Sequence, residues 1–347
     1  MIDPHVHLRD WAQSDKETIF HGLKVAKDAG FTHVFDMPNT SPALTHRDVI
    51  VARLSDGLEA AKTLKGISYH VYAGLTADLG QIKEAVSAYN ELFPLVIGLK
   101  LFAGQSTGDM GIVDMDSQNK VFKVLADENY SGVLAVHAEK ESFLRPELYV
   151  PGHFETHSLA RPAEAEIESV RDLLDISEEA GFKGILHIAH VSTKGAVELI
   201  REAKQKGRRV TMGVTPHHAL LTSENAKDSS LFLKMNPPLR CEEDRKAVFS
   251  ALLDGTADWA ESDHAPHTIE DKEKGASGIP GFLGMLLLLD RLRAAGADED
   301  RLKDLFALNA ARAFSLEEDE VILPKNIRKR LFRLEGEYPF NPYKGLY

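Results

Sequence analysis

Short apolar segments alternate with longer amphipathic segments along most of the chain. Eight apolar runs predict strands at residues 2–7, 32–37, 67–75, 95–102, 133–137, 184–190, 209–215 and 257–262. Because these runs are apolar throughout, both faces of the resulting sheet should be covered. Segments whose apolar residues have helical spacing lie between the predicted strands, at residues 16–29, 46–64, 79–93, 115–128, 162–180, 193–206 and 242–253. Two more follow the last predicted strand, at residues 281–294 and 298–314.

This alternation predicts an α/β fold with a parallel sheet. Eight such units fit a closed (β/α)8 TIM-type barrel better than an open sheet. An open sheet would usually carry a glycine-rich phosphate loop after its first strand, whereas this strand ends in His-Val-His. We expect residues 1–316 to form the barrel with extra C-terminal helices, and residues 317–347 to form a short extension packed on it.

Composition narrows the classes of function. The chain has 347 residues, 41 Lys and Arg against 53 Asp and Glu, and a net charge of −12, which argues against a general nucleic-acid binder. Cys241 is the only cysteine, so a metal site must use histidine and carboxylate ligands. The longest apolar run, residues 279–289, is too short to span a bilayer, and the start of the chain has no signal-peptide pattern. We therefore expect no membrane partner and a cytoplasmic location.

Histidines cluster at the ends of predicted strands, where barrel enzymes carry their catalytic groups. His5 and His7 end the first strand. His137 ends the fifth strand and His190 the sixth. Since residues two apart on a strand share a face, His5 and His7 can bind one metal ion together. The alternative is a pair of surface histidines beside a turn.

Lys100 lies inside the apolar fourth strand, where an unpaired ammonium is costly. One interpretation is a lysine that extends its amine from the strand end into water. The other is that burial lowers the pKa of the amine, so that the neutral form captures carbon dioxide as a carbamate. A carbamate has two oxygens and could bridge two metal ions, and the nearby histidines favour this second interpretation.

Asp263 follows the last predicted strand. An aspartate there can bind a metal ion and move protons, although turn and helix-capping aspartates are common. Arg9, on the first loop, is a candidate for binding a carboxylate through its planar fork of donors. Asn39, at the end of the second strand, is a second candidate for holding substrate, and both Arg9 and Asn39 have a structural alternative. Asn236 is a weaker candidate of the same kind.

Eight short motifs follow one another along the chain. They are Asp3-Pro-His-Val-His-Leu-Arg9, Met37-Pro-Asn-Thr40, Gly98-Leu-Lys-Leu-Phe102, Val136-His-Ala-Glu139, Ala189-His-Val-Ser-Thr193, Val214-Thr-Pro-His-His218, Met235-Asn-Pro-Pro-Leu-Arg240 and Ser262-Asp-His-Ala-Pro-His267. Each motif alone is a moderately specific indication of a family. The occurrence of all eight in this order is highly specific. Together they resemble the amidohydrolase superfamily, and within it the dihydroorotases, over residues 2–316.

The resemblance implies a site with two zinc ions. The implied ligands are His5, His7 and Asp263 for one ion and His137 and His190 for the other. Lys100, carried as N6-carboxylysine, and a hydroxide would bridge the two ions. His187 is a rival to His190, but the Ala-His-Val-Ser pattern favours His190.

The resemblance also implies substrate contacts and an activity. Residues equivalent to Arg9, Asn39 and His267 hold a substrate carboxylate, and backbone near Gly278 contacts the ring. The implied reaction is the zinc-dependent, reversible hydrolysis of (S)-dihydroorotate to N-carbamoyl-L-aspartate in pyrimidine biosynthesis, with Asp263 moving the proton. Hydantoin and allantoin lack that carboxylate, so a buried Arg9 favours dihydroorotate.

Other interpretations stay open. The chain could be a hydantoinase- or allantoinase-type enzyme, or a silent scaffold bound to aspartate transcarbamoylase, although all six ligand positions are filled. A homodimer is also compatible with the resemblance. Gly213 stands where relatives often have glutamate, and Leu283 and Gly284 replace a Glu-Thr pair. The polar, glycine-bearing loops 104–111 and 151–161 are both candidate lids.

Overall fold

Eight parallel strands form a single sheet in the order of the chain. The computed structural model describes residues 1–105, 110–225 and 230–347. The strands are β1 (Ile2–Val6), β2 (His33–Asp36), β3 (Ser68–Gly74), β4 (Val96–Phe102), β5 (Val133–His137), β6 (Ile185–Ile188), β7 (Val210–Val214) and β8 (Trp259–Ala260). A parallel bridge joins Val6 to His264, and the His7 amide donates to the His264 carbonyl at 2.7 Å. These contacts bring the two edges together, so the predicted (β/α)8 barrel is confirmed.

Helices connect the strands, as parallel pairing requires. The helices are α1 (Ile19–Ala29), α2 (Arg47–Leu64), α3 (Leu79–Leu92), α4 (Met115–Asp127), α5 (His157–Ala160), α6 (Ala163–Glu179), α7 (Lys194–Gln205), α8 (Pro216–Leu220), α9 (Glu242–Asp254), α10 (Ile269–Glu273), α11 (Phe282–Ala294), α12 (Glu299–Lys303), α13 (Asn309–Ala313) and α14 (Ile327–Leu334). Gly30, which follows α1, has a φ of 109°, a left-handed conformation that favours glycine.

The interior of the barrel is filled at the amino ends of the strands. Ile2, Phe35, Tyr72 and Trp259 form an inner cluster there. The Phe314 ring closes this cluster from below, with its centroid 4.9 Å from that of Phe35. The opposite end of the barrel is left to polar side chains, and this asymmetry determines where a site can form.

Seven of the eight strands are shorter than the sequence pattern predicted, and two of them are shorter by three residues or more. The eighth, expected at residues 257–262, covers only Trp259–Ala260, and the sixth ends at Ile188. His190 therefore follows its strand rather than ending it, and its φ of 41° lies in the left-handed region. Loop-forming polar residues at the barrel mouth leave the ladder earlier than an apolar pattern indicates. The predicted helix 298–314 is interrupted by a π-helical turn, Asp304–Leu308.

The C-terminal extension contains a helix that the sequence analysis did not predict. Helix α14 packs against α1 and α11 through Ile327, Leu331 and Leu334, which lie on one face. Its remaining positions are mostly basic, and no side chain caps its start, so the local signal was weak. The division of the chain at residue 316 stays a prediction. Within the described parts of the chain, we find no helix long and apolar enough to cross a membrane.

Candidate active site

One pocket of about 410 Å³ lies at the carboxyl ends of the strands. Ten of the residues singled out from the sequence line it: His5, His7, Arg9, Asn39, Lys100, His137, His190, Asn236, Asp263 and Gly278. These residues are dispersed along the chain, so it is the barrel that brings them together.

The first group of candidate ligands comes from β1, from His7 directly after it and from the loop after β8. His7 therefore follows its strand rather than ending it. Asp263 Oδ1 lies 3.0 Å from His7 Nε2 and 3.4 Å from His5 Nε2. One ligand atom of each residue lies within 4.8 Å of the other two, a spacing that suits a single metal ion. His7 Nδ1 donates a hydrogen bond to Asn39 Oδ1 at 2.7 Å, which leaves the lone pair of Nε2 to act as ligand.

The second group comes from β4, β5 and the loop after β6. His137 Nδ1 and His190 Nε2 lie 3.2 Å apart. Lys100 Nζ, His190 Nδ1 and His5 Nδ1 are buried, and none has a hydrogen-bond partner among the described residues. Buried polar atoms are nearly always hydrogen-bonded. The unpaired nitrogens of Lys100 and His190, both of which line the pocket, therefore fit a site built to receive metal ions and a modified lysine, whereas His5 Nδ1 faces Glu261.

Burial shifts the protonation of these groups in the direction that metal binding requires. It lowers the pKa of Lys100 to about 8 and the pKa of His5 to about 4, and it places the pKa of His190 well below its usual value. Burial alone would raise the pKa of Asp263, but its close contacts with the His7 and His5 side chains hold it well below its usual range. Neutral imidazoles beside an ionised carboxylate are ready to bind a cation.

Glu139 orients His137 and was missed by the sequence analysis. Its Oε2 accepts a hydrogen bond from His137 Nε2 at 2.9 Å, so the other ring nitrogen faces the pocket. Arg161 Nε donates to both carboxylate oxygens of Glu139, at 3.1 and 3.0 Å. The available signal was an acid two residues after a strand-end histidine, inside the fourth motif.

Arg9 lies in the wall of the pocket and is 3% exposed. Its Nε donates to the Pro266 carbonyl at 3.1 Å, and its Nη2 lies 3.2 Å from His267 Nε2. His267 does not line the pocket but lies behind Arg9, 3.0 Å from the Ser277 carbonyl oxygen. Contact of His267 with substrate stays a prediction, and its observed contacts are with the guanidinium, the Ser277 carbonyl and the Asp271 carboxylate.

A buried ion pair fixes the peptide between His7 and Arg9. The Leu8 amide donates to Asp36 Oδ1 at 2.9 Å, and the Leu8 carbonyl accepts from Arg53. Arg53 Nη2 lies 2.7 Å from Asp36 Oδ2, and both side chains are fully buried. Both polar groups of Leu8 are therefore satisfied, and the neighbouring side chains are held in register.

Two further side chains hold the rim of the pocket, and the sequence analysis missed both. His157 Nε2 donates to Asn236 Oδ1 at 2.8 Å. Lys272 Nζ, which is fully buried, donates to the carbonyl of Gly278 at 2.9 Å. Gly278 has a φ of 134°, and a Cβ there would lie 2.7 Å from the Ala265 carbonyl oxygen, so only glycine fits. No local pattern marks His157 or Lys272, because their roles come from distant parts of the chain.

His187, the rival to His190, is engaged elsewhere. Its Nε2 donates to Glu261 Oε2 at 3.1 Å, and its Nδ1 accepts from the Thr211 hydroxyl at 3.1 Å. Both ring nitrogens are therefore satisfied below the pocket. Of the two histidines, His190 is the one that lines the pocket.

Comparison with known proteins identifies the family. No family model matches the chain. The chain is 38% identical over 294 residues to a dihydroorotase from Thermococcus kodakarensis, across 84% of this chain and 62% of that protein. It is 35% identical over 338 residues to a dihydroorotase from Staphylococcus aureus, across 91% of this chain and 73% of that protein.

The chain belongs to the dihydroorotase family. It spans less than two thirds of the length of the Thermococcus dihydroorotase and more than two thirds of the length of the Staphylococcus dihydroorotase. Solved structures support the barrel fold at lower identity. An L-hydantoinase from Arthrobacter aurescens has a TM-score of 0.81 at 24% identity, covering 93% of this chain and 72% of that chain. A dihydroorotase from Campylobacter jejuni has a TM-score of 0.70 at 20% identity, covering 92% and 84%.

Of the two candidate lids in this dihydroorotase-family chain, only the second lies wholly within the described residues. Residues 106–109, within the first loop, lie outside the described residues. The second loop contains a 3-10 turn, Phe154–Thr156, followed by helix α5. Its last residue, Arg161, binds Glu139, so this loop is connected directly to the orientation of His137.

Proposed function

We propose that the chain is an active dihydroorotase that interconverts (S)-dihydroorotate and N-carbamoyl-L-aspartate in pyrimidine biosynthesis. The observation that carries the proposal is the meeting of the candidate metal ligands with a buried arginine in one pocket. The family relationship at 35–39% identity supports the same reaction class. The arginine supports a substrate that bears a carboxylate.

The donor set suits two zinc ions. His5, His7 and Asp263 would hold one ion, and His137 and His190 the other. Lys100, as N6-carboxylysine, would lie between them, since carbamylation turns an unpaired buried amine into an anionic oxygen ligand. When bound, the zinc ions would lower the pKa of a water molecule and polarise the cyclic amide.

The side chains of the chain supply the remaining steps. Asp263 would accept the proton of the attacking water and deliver it to the leaving ring nitrogen, because its low pKa keeps it ionised before the reaction. Arg9 would bind the substrate carboxylate through its guanidinium, with His267 supporting it from behind. Asn39, Asn236 and the backbone at Gly278 would complete the contacts with the ring.

A substrate panel tests this proposal. The purified chain, supplied with zinc and bicarbonate, is assayed with dihydroorotate, hydantoin and allantoin, and its metal content is measured in parallel. We expect turnover of dihydroorotate and about two zinc ions per chain. Turnover of only hydantoin or allantoin would assign the chain to those enzymes. Zinc binding without turnover of any ring would favour a silent scaffold.

We also propose a cytoplasmic location and keep two assemblies as hypotheses, a homodimer and a complex with aspartate transcarbamoylase. The division into a barrel at residues 1–316 and an extension at residues 317–347 is part of the same proposal. Light scattering of the chain alone, and of its mixture with aspartate transcarbamoylase, tests both assemblies. A monomeric mass for the chain alone would remove the homodimer, and separate, unchanged masses of the two proteins in the mixture would remove the complex.

A further inference from the structure

Glu261 is a buried carboxylate that the mechanism above does not use. It directly follows β8, is fully buried, and has only histidines as ion-pair partners among the described residues. Burying a carboxylate without a lysine or arginine is costly unless other groups compensate its charge. Such a residue close to candidate metal ligands calls for a functional explanation.

Each oxygen of Glu261 has a separate set of neighbours. Oε2 accepts hydrogen bonds from His187 Nε2 and Trp259 Nε1, both at 3.1 Å. These two donors fix the carboxylate from below. Oε1 faces the site: it accepts the main-chain N–H of His190 at 2.5 Å and lies 3.7 Å from His5 Nδ1.

The contact with His190 falls at a conformation that needs support. His190 has a φ of 41°, a left-handed backbone that residues other than glycine seldom adopt. Its amide is the group that Glu261 binds. The carboxylate therefore helps to hold the turn that carries the His190 ring into the pocket.

The contact with His5 concerns the choice of ring nitrogen. His5 Nε2 faces Asp263 at 3.4 Å, whereas Nδ1 faces Glu261 and has no hydrogen-bond partner. If Nε2 binds a metal ion, Nδ1 must carry the ring proton. Glu261 is the carboxylate placed to accept a hydrogen bond from that N–H group. Carboxylates behind metal-binding histidines orient the ring and strengthen the ligand.

The space for Glu261 exists because residue 213 is glycine. A Cβ on Gly213 would lie 2.2 Å from Glu261 Cδ and 2.3 Å from Oε2, so a side chain at 213 and the carboxylate cannot coexist. Gly213 pairs with Trp259 across β7 and β8. An acid at position 213 could therefore return a carboxylate to nearly the same volume if residue 261 were shortened.

We infer that Glu261 is a positioning residue that orients the side chains of both His5 and His190 and thereby raises the zinc affinity of both halves of the site. It does so from the space that Gly213 leaves open. The inference rests on the proposed function, since it takes both histidines to be zinc ligands. It assigns to the loop after β8 a second acid beside Asp263, which supports the zinc ligands and does not bind zinc itself.

The test is zinc affinity of the demetallated full chain, measured by competition with a chromophoric chelator. Glu261→Gln keeps the shape but presents an amide N–H to a neighbouring donor, so we expect affinity to fall about 10- to 100-fold. Asp258→Asn is the matched control, because Asp258 accepts the Met212 amide at 2.7 Å and pairs with Lys204 at the other end of β8. We expect no change in zinc affinity for the control. A merely structural role would lower the stability of the metal-free chain and leave zinc affinity unchanged.

The double variant Glu261→Ala with Gly213→Glu should recover most of the affinity. If Glu261→Gln folds and binds zinc as tightly as the unaltered chain, the inference is wrong while the proposed function stands. If Glu261→Gln does not fold, the double variant decides: native affinity supports the inference, and weak binding or an unfolded double variant overturns it. If the unaltered chain binds no zinc, both the inference and the proposed function fail.

Discussion

Replacing Arg9 by methionine tests recognition of a substrate carboxylate. The guanidinium is 3% exposed, is held by the Pro266 carbonyl at 3.1 Å and by His267 at 3.2 Å, and lines the pocket. Methionine has a similar length and no charge, so it removes the fork of donors without opening a large cavity. The candidate ligands His5, His7 and Asp263 are unchanged, and zinc content should stay at its original value.

The size of the effect follows from the burial of Arg9. Removing one partner of a buried, hydrogen-bonded charge pair costs about 2–5 kcal/mol. For kcat/KM with dihydroorotate, this corresponds to a fall of about 30- to 5,000-fold. The carboxylate does not react, so the interaction is similar in the bound substrate and in the transition state, and the loss should appear mainly in KM.

Steady-state kinetics with two rings provide the assay. Dihydroorotate carries the carboxylate and hydantoin does not, so we expect Arg9→Met to impair only the first. Arg9→Lys serves as the matched control, because it keeps the charge and loses the planar fork, and its effect should be intermediate. An unchanged KM for dihydroorotate, or equal losses with both rings, would refute the assigned part of Arg9.

Three further predictions concern zinc content, acid stability and the buried ion pair. Lys100→Met should reduce bound zinc below two ions per chain by elemental analysis, since the carbamate is lost; full zinc content would contradict the bridging role. Burial lowers the pKa of His157 to about 3, so between pH 6.5 and 3 the unfolded chain binds more protons than the folded chain. The free energy of unfolding therefore falls as the pH is lowered through this range. His157→Gln should therefore reduce the loss of stability between pH 6.5 and 5 by about 2 kcal/mol, as measured by urea unfolding. An unchanged dependence of stability on pH would contradict this prediction. Arg53→Met should destabilise the chain by about 3–5 kcal/mol in urea, with partial recovery when Asp36→Asn is added; additive losses would argue against a coupled pair.

The barrel was predictable because its elements are marked locally. Apolar runs such as Val96–Phe102 and helical spacing such as that of Leu79–Leu92 report burial of each segment through its own periodicity. Helix α14 escaped prediction because its apolar face has only three buried residues among basic ones. Strand β8 was overestimated at both ends, and beyond it the Ser262 amide donates to the Asp3 side chain rather than to a neighbouring strand.

The sequence by itself determined the order of strands and helices and the residue types at the strand ends. His5, His7, Lys100 and Asp263 could be singled out because an imidazole pair, a lysine in an apolar strand and a terminal acid are unusual in their local setting. Only the tertiary structure decided which distant groups support them. The fit of Glu261 into the space beside Gly213 depends on the pairing of β7 with β8, and no local pattern encodes a contact between two strands that are distant in the sequence.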